Sequence, residues 1–113
     1  MATGEAPVIE MLAAMNAESI DRTDLDPQTL MLVRIAALIA VDAPVASYLM
    51  HVPAAAATGV TAEQAQDVLV AVAPIVGSPR TLAAAAKITE ALGVAIELAA
   101  AEAEAEIEAE SGA

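Results

Sequence analysis

One histidine and two polar residues just before it are the side chains of this chain best suited to chemistry. His51 follows Ser47 by four residues and Tyr48 by three, and residues at these spacings share one face of an α-helix. Imidazole is the side chain best matched to proton transfer near neutral pH, so we predict His51 as the catalytic acid or base. Ser47 is a weaker catalytic candidate, because a Ser–His pair needs a group that orients the imidazole. The alternative for His51 is a partly buried ring bonded to a backbone carbonyl.

Two arginines are the candidate groups for holding the carboxylate of a substrate. Arg34 interrupts the apolar run 30–40, and the planar guanidinium fork matches a carboxylate. A structural ion pair of Arg34, with Asp42 or one of the many glutamates, is the alternative. Arg80 lies in the first turn of a later predicted helix, where it either lines a pocket mouth or is solvated. With Tyr48, these arginines form the predicted substrate-binding group.

Composition excludes several other kinds of chemistry. The chain has no cysteine, which excludes disulfides, thiolate zinc sites and thiol redox reactions. With one histidine, only carboxylates remain as metal ligands, and the pair Glu63 and Asp67 has no metal-site spacing. We therefore expect neither a metal nor a cofactor.

The charge of the chain restricts its partners and its location. The net charge is −12, which repels phosphate backbones and anionic lipid surfaces, so we expect no nucleic-acid partner and no membrane partner. The longest run without charged residues, 43–62, contains prolines and a glycine and does not match a membrane span. The acidic N-terminus has no secretory signal pattern, and we expect a cytoplasmic protein.

An all-α fold follows from composition and from signals at helix ends. Alanine dominates the sequence, and Phe and Trp are absent; alanine has the highest helix propensity. Asp26-Pro27 and Ser78-Pro79 each place a capping residue before a proline, and Thr61-Ala-Glu-Gln64 is a capping box. Gly59 and Gly77 suit the left-handed residue that ends a helix. We predict a compact domain of five to six helices.

The chain divides into three predicted segments. Residues 1–24 hold a short helix and a connector, residues 25–99 form the helical domain, and residues 100–113 form an acidic Ala/Glu tail. The tail is expected to fray, because its glutamates repel one another and lie at the negative end of a helix dipole. Helical spacing places apolar residues on one face of the first helix: Val8, Met11, Leu12 and Met15. The same reasoning predicts an apolar face for the helix that starts at Pro27: Leu30, Val33, Ala37 and Leu38.

The order of these motifs resembles the carboxymuconolactone decarboxylase superfamily, which includes the alkylhydroperoxidase-D-like proteins. Residues 25–27 lead into an Ala-rich helix, and His51 lies near the end of the next segment. The small-residue run 54–57, the glycine turn with the capped helix over 58–64, and the turn at 77–79 are similar to the family pattern. The resemblance covers about two-thirds of the chain. It implies an all-α fold that assembles into homotrimers or homohexamers.

The peroxidase branch of this superfamily does not match in its reactive residues. That branch has cysteines seven and four residues before the histidine, where this chain has Pro44 and Ser47. The peroxidase branch also has a glutamate on the preceding helix, and the matching position in this chain is Met31 or Leu32. A serine hydroxyl does not form the anion that a peroxidatic thiolate supplies. Thiol peroxidase activity is therefore excluded.

The decarboxylase branch leaves two functions open. Its members act on small carboxylated lactones and keep a histidine at the position of His51, but their tyrosine before the turn is Ile75 here. One function is a cofactor-free lyase, in which His51 transfers the proton and Arg34 or Arg80 holds the carboxylate. The other is a catalytically inactive relative, acting as an oligomeric scaffold or a small-ligand-binding module. A cavity holding His51 together with an arginine favours the lyase, and a His51 packed on backbone without a cavity favours the scaffold.

Overall fold

The computed structural model describes residues 6–112, and all of its regular elements in this range are α-helices. In chain order they are α1 (Ala6–Arg22), α2 (Pro27–Ala40), α3 (Val45–Ala57), α4 (Ala62–Val76) and α5 (Ser78–Gly112). Helices α2 to α5 pack on one another, with α3 and α4 both against α5, and α2 against α3, α4 and α5. This arrangement confirms the all-α prediction. The first five residues of the predicted N-terminal segment lie outside the described residues.

Side-chain caps begin two of the packed helices, as the sequence predicts. The Asp26 carboxylate accepts a 2.9 Å hydrogen bond from the Thr29 backbone N–H. The Thr61 hydroxyl accepts from the Gln64 N–H at 3.0 Å, and the Gln64 side chain accepts from the Thr61 N–H at 2.9 Å. Each cap satisfies backbone donors that the first helical turn leaves free. Both caps fix where a helix starts relative to the loop before it.

Two helices end in the same hydrogen-bond pattern, although only one of the ends contains a glycine. After α3, Gly59 has a φ of 85° and the Val60 N–H donates to Ala55 O. After α2, Asp42 takes the left-handed position with a φ of 55°, a conformation that the sequence did not indicate. The Lys87 ammonium of α5 bonds the Asp42 carboxylate at 2.8 Å and lowers its pKa below the ordinary value.

The core is small and centres on α2. The buried residues of this helix, Met31, Ile35 and Ile39, are spaced four apart, as one helix face requires. The predicted face was therefore wrong in part, since Val33 and Ala37 are exposed. Almost every residue of α2 is apolar, so periodicity alone does not select its buried side. Alanines and one tyrosine complete the core: Ala43, Tyr48, Ala65, Ala84 and Ala91.

Two segments extend away from this core. None of the residues of α1 is buried, and α1 does not pack on another helix within residues 6–112. The later part of α5 is exposed from Ile96 to Ser111. No helix in the described range has the length and apolarity that crossing a membrane requires.

Candidate functional site

A cavity of about 110 Å³ lies between α2, α3, α4 and α5, beside the histidine. We call it the His51 cavity. Its walls are almost entirely apolar, because aliphatic side chains of α2 and α5 face alanines of α3 and α4. Alanine side chains are too short to fill the space between such helices, so a cavity that opens to solvent remains where helices are normally close-packed. The wall residues are Ile35, Leu38, Tyr48, His51, Val52, Ala55, Ala56, Val60, Thr61, Ala62, Ala65, Ile88, Ala91 and Leu92.

The ring of His51 is oriented by its own helix. Its Nδ1 lies 2.7 Å from the Ser47 backbone oxygen, one turn earlier in α3. A carbonyl oxygen only accepts, so Nδ1 carries the proton of this hydrogen bond. In the neutral ring Nε2 is then a hydrogen-bond acceptor. His51 is thus both bonded to backbone and part of a cavity wall. The sequence analysis expected either a cavity with His51 and an arginine or a His51 packed on backbone without a cavity, and the structure has one part of each.

Tyr48, one turn before His51, also lines the cavity, but its hydroxyl is buried. Its side chain is 5% exposed, and its hydroxyl has no hydrogen-bond partner within residues 6–112. Burial raises the pKa of this hydroxyl, and the negative charge of Asp42 raises it further. The hydroxyl therefore stays protonated and is a donor without an acceptor.

Thr61 also lines the cavity, but its polar atoms are committed to the helix cap. Its hydroxyl accepts from the Gln64 N–H and lies 3.4 Å from the Gln64 side-chain oxygen. The Tyr48 hydroxyl is buried without solvent contact, so the polar group of the wall that remains for a ligand is His51 Nε2. Among residues 6–112, no Asp, Glu, Lys or Arg side chain belongs to the wall.

Neither predicted carboxylate-binding arginine lines the His51 cavity. Arg34 reaches α1, where its guanidinium donates to Asn16 Oδ1 and, at 3.1 Å, to Ser19 Oγ. Arg80 donates to the Ala40 backbone oxygen at 2.8 Å, where a cation stabilises the C-terminal end of α2. The structure brings His51 and Tyr48 together at the cavity and leaves both arginines outside it.

The other sequence candidates have local roles. Ser47 is not one of the wall residues, but its backbone oxygen orients the His51 ring. Glu63 and Asp67 are exposed on α4. Within residues 6–112 no group of three or more His, Asp or Glu side chains is arranged to hold a metal ion.

Sequence reasoning did not identify the apolar wall, which is the largest part of the site. Ile35 and Leu38 come from α2, and Ile88, Ala91 and Leu92 come from α5. A concentration of alanines in α3, at Ala54–Ala57, is the one signal in the sequence that is consistent with a gap between helices.

Comparisons with known proteins identify a family and nothing finer. A model of the carboxymuconolactone decarboxylase family matches residues 6–91. That match spans α1 to α4 and the first part of α5, and it includes His51 and most of the cavity wall. The curated proteins gave no significant match, and neither did the solved structures.

Proposed function

We propose that this chain, which belongs to the carboxymuconolactone decarboxylase family, is a small-ligand-binding module whose ligand occupies the His51 cavity. The observation that supports this proposal is the cavity itself, an apolar space of about 110 Å³ with an oriented imidazole in its wall. Small-molecule sites in proteins combine such apolar walls with a few placed polar groups. A histidine kept only for packing would not need an adjoining void.

A lyase is the second candidate function, favoured by the orientation of the His51 ring. The Nδ1–Ser47 hydrogen bond of 2.7 Å leaves Nε2 as the group available for proton transfer. In decarboxylation the bond to the carboxyl carbon breaks, its electron pair stays on the substrate, and protonated Nε2 would deliver a proton to that carbanion. The absence of Arg34 and Arg80 from the cavity wall weakens this candidate, because nothing cationic holds the carboxylate there.

The test uses the single histidine of the chain. NMR signals of the His51 ring are recorded with neutral lactones and with small carboxylic acids, and carbon dioxide release from a carboxylated lactone is measured in parallel. Saturable shifts of the His51 signals without carbon dioxide release support a binding module. Release that His51→Gln abolishes would establish the lyase instead. If no compound changes the His51 ring signals, both the binding module and the lyase are contradicted.

We further propose that the chain self-associates through α1, as a homotrimer or homohexamer. Six large apolar side chains of α1 are 50–61% exposed, namely Val8, Ile9, Met11, Leu12, Met15 and Ile20. Helices in proteins gain most of their stability from packing an apolar face against a neighbour. Within residues 6–112 the only side-chain hydrogen bonds between α1 and the helix bundle are those of Arg34. A second copy of the chain would cover this face.

Light scattering at micromolar concentration tests the assembly. The unmodified chain is expected to have a mass of at least three chains, and Leu12→Glu with Met15→Glu is expected to reduce it. Ile107→Glu is the matched control, because Ile107 is equally exposed at 62% but lies in the acidic part of α5. A stable monomer, or equal masses for all variants, would refute association through α1.

A further inference from the structure

The polar groups of the His51 cavity indicate which class of molecule it takes. We propose that the cavity binds neutral, ring-sized apolar molecules that carry one hydroxyl group, and that it rejects carboxylates. This inference rests on the proposed binding function and specifies its ligand. It departs from the carboxylated lactones that the family name suggests.

Charge argues against a carboxylate ligand. Within residues 6–112 the cavity wall contains no Asp, Glu, Lys or Arg side chain, and both arginines that the sequence analysis proposed for a carboxylate are engaged elsewhere, Arg34 with α1 and Arg80 with Ala40 O. A carboxylate entering this wall would lose its hydration and gain no cation, which is strongly unfavourable. The net charge of −12 adds a general repulsion of anions. A neutral ligand meets none of these costs.

Hydrogen bonding argues for a hydroxyl. The bond from Nδ1 to Ser47 O leaves His51 Nε2 as an acceptor, so a ligand must bring a donor to it. The Tyr48 hydroxyl is buried without solvent contact, so it adds no requirement on the ligand. A hydroxyl is the smallest group that supplies the donor that His51 needs. An ether or a ketone accepts only and cannot satisfy His51.

Size argues for a single ring. An enclosed cavity of about 150 Å³ in another protein holds benzene. The His51 cavity has about 110 Å³ and opens to solvent, so a single ring enters it without having to be enclosed on all sides. Its wall is aliphatic except for Tyr48, His51 and Thr61, which suits the faces of one ring.

Phenol, anisole and benzoate test the proposal as matched probes. They share one aromatic ring and differ in the polar group: a neutral hydroxyl, an ether without a donor, and an anion. Binding is measured at pH 8 from the His51 ring signals and by calorimetry on the full chain. We expect phenol to bind at least tenfold more tightly than benzoate and about threefold to tenfold more tightly than anisole, as the loss of one hydrogen bond predicts.

Two variants connect the selectivity to the cavity. His51→Leu is expected to bind phenol and anisole equally, because the acceptor is gone while the apolar wall remains. Ala56→Leu is expected to weaken all three probes, because Ala56 lines the cavity but is exposed enough to tolerate a larger side chain. Circular dichroism checks that each variant keeps its helix content.

The outcomes separate this inference from the binding function itself. Benzoate binding as tightly as phenol, or anisole binding as tightly as phenol, would overturn the hydroxyl selectivity and leave a ligand site in place. If none of the three probes binds at millimolar concentration, the inference is wrong, whereas the proposed binding function is refuted only if the lactones and carboxylic acids also leave the His51 signals unchanged. Probe binding that Ala56→Leu does not change would place the site outside the cavity and overturn the inference.

Discussion

Replacing Tyr48 by phenylalanine is expected to stabilise the ligand-free protein. The side chain is 5% exposed and its hydroxyl has no partner within residues 6–112. An unsatisfied buried polar group costs about 1–3 kcal/mol, since the same hydroxyl is hydrogen-bonded to water in the unfolded chain. Tyr48→Phe removes this cost and keeps the ring in place. We expect the free energy of unfolding to rise by about 1 kcal/mol, which corresponds to roughly 4 °C in Tm for a domain of this size.

Urea unfolding, followed by far-ultraviolet circular dichroism, is the suitable assay. Tyr48 is the sole aromatic residue, so the variant has no intrinsic fluorescence to follow. Thr81→Val is the matched control, because it removes a partly buried hydroxyl that does have a partner, Gly77 O at 2.8 Å. The control should lose about 0.5–1 kcal/mol. If Tyr48→Phe also destabilises by that amount, the hydroxyl has a partner and the reasoning about its burial is wrong.

The same substitution has a predicted pH dependence. Burial raises the pKa of Tyr48 above its ordinary value of 10.0, so the folded chain holds this proton at pH values where the unfolded chain has released it. The unfolded state then binds fewer protons, and stability falls as pH rises from about 10 through the raised pKa. The stability of Tyr48→Phe should not show this fall, so its advantage over the unmodified chain widens above pH 10.

Three further predictions concern the scaffold. Thr61→Ala removes one half of the capping box of α4 and should lower the free energy of unfolding by about 1 kcal/mol in urea titrations, while Glu63→Ala in the same turn should change it little. Deleting residues 100–113 should leave Tm nearly unchanged in a thermal scan, because the described side chains there are exposed; a large drop would show that this segment packs. Lys87→Met should raise the pKa of Asp42 towards its ordinary value in an NMR titration, because the ammonium is the first cause of its lowering; an unchanged pKa would contradict the ion pair.

Local signals in the sequence predicted the scaffold better than they predicted the site. The caps at Asp26 and Thr61 are properties of four consecutive residues, and both are present. The buried face of α2 was predicted only in part, because that helix is apolar on nearly every side. The partners of Arg34 depend on where α1 lies, which no local pattern specifies.

The cavity could not be predicted for a different physical reason. The cavity is the space that the side chains of four helices leave unfilled, so its size and shape depend on how all four helices pack. The residues that matter most to it, such as Ala55 and Ala91, have no distinguishing chemistry. His51 was identifiable because it is the single histidine of the sequence.

The alanines that line the His51 cavity make its shape easy to change in small steps. Ala55, Ala56 and Ala62 each present one methyl group to the space. Exchange of one of them for glycine, serine or valine would enlarge, polarise or reduce the space without moving His51 or the backbone bond that orients it. Mutation can therefore alter ligand size and ligand polarity separately. The chain is thus a starting point for directed evolution of small-molecule sensors, in which a library confined to these alanine positions would vary selectivity while the imidazole stays fixed.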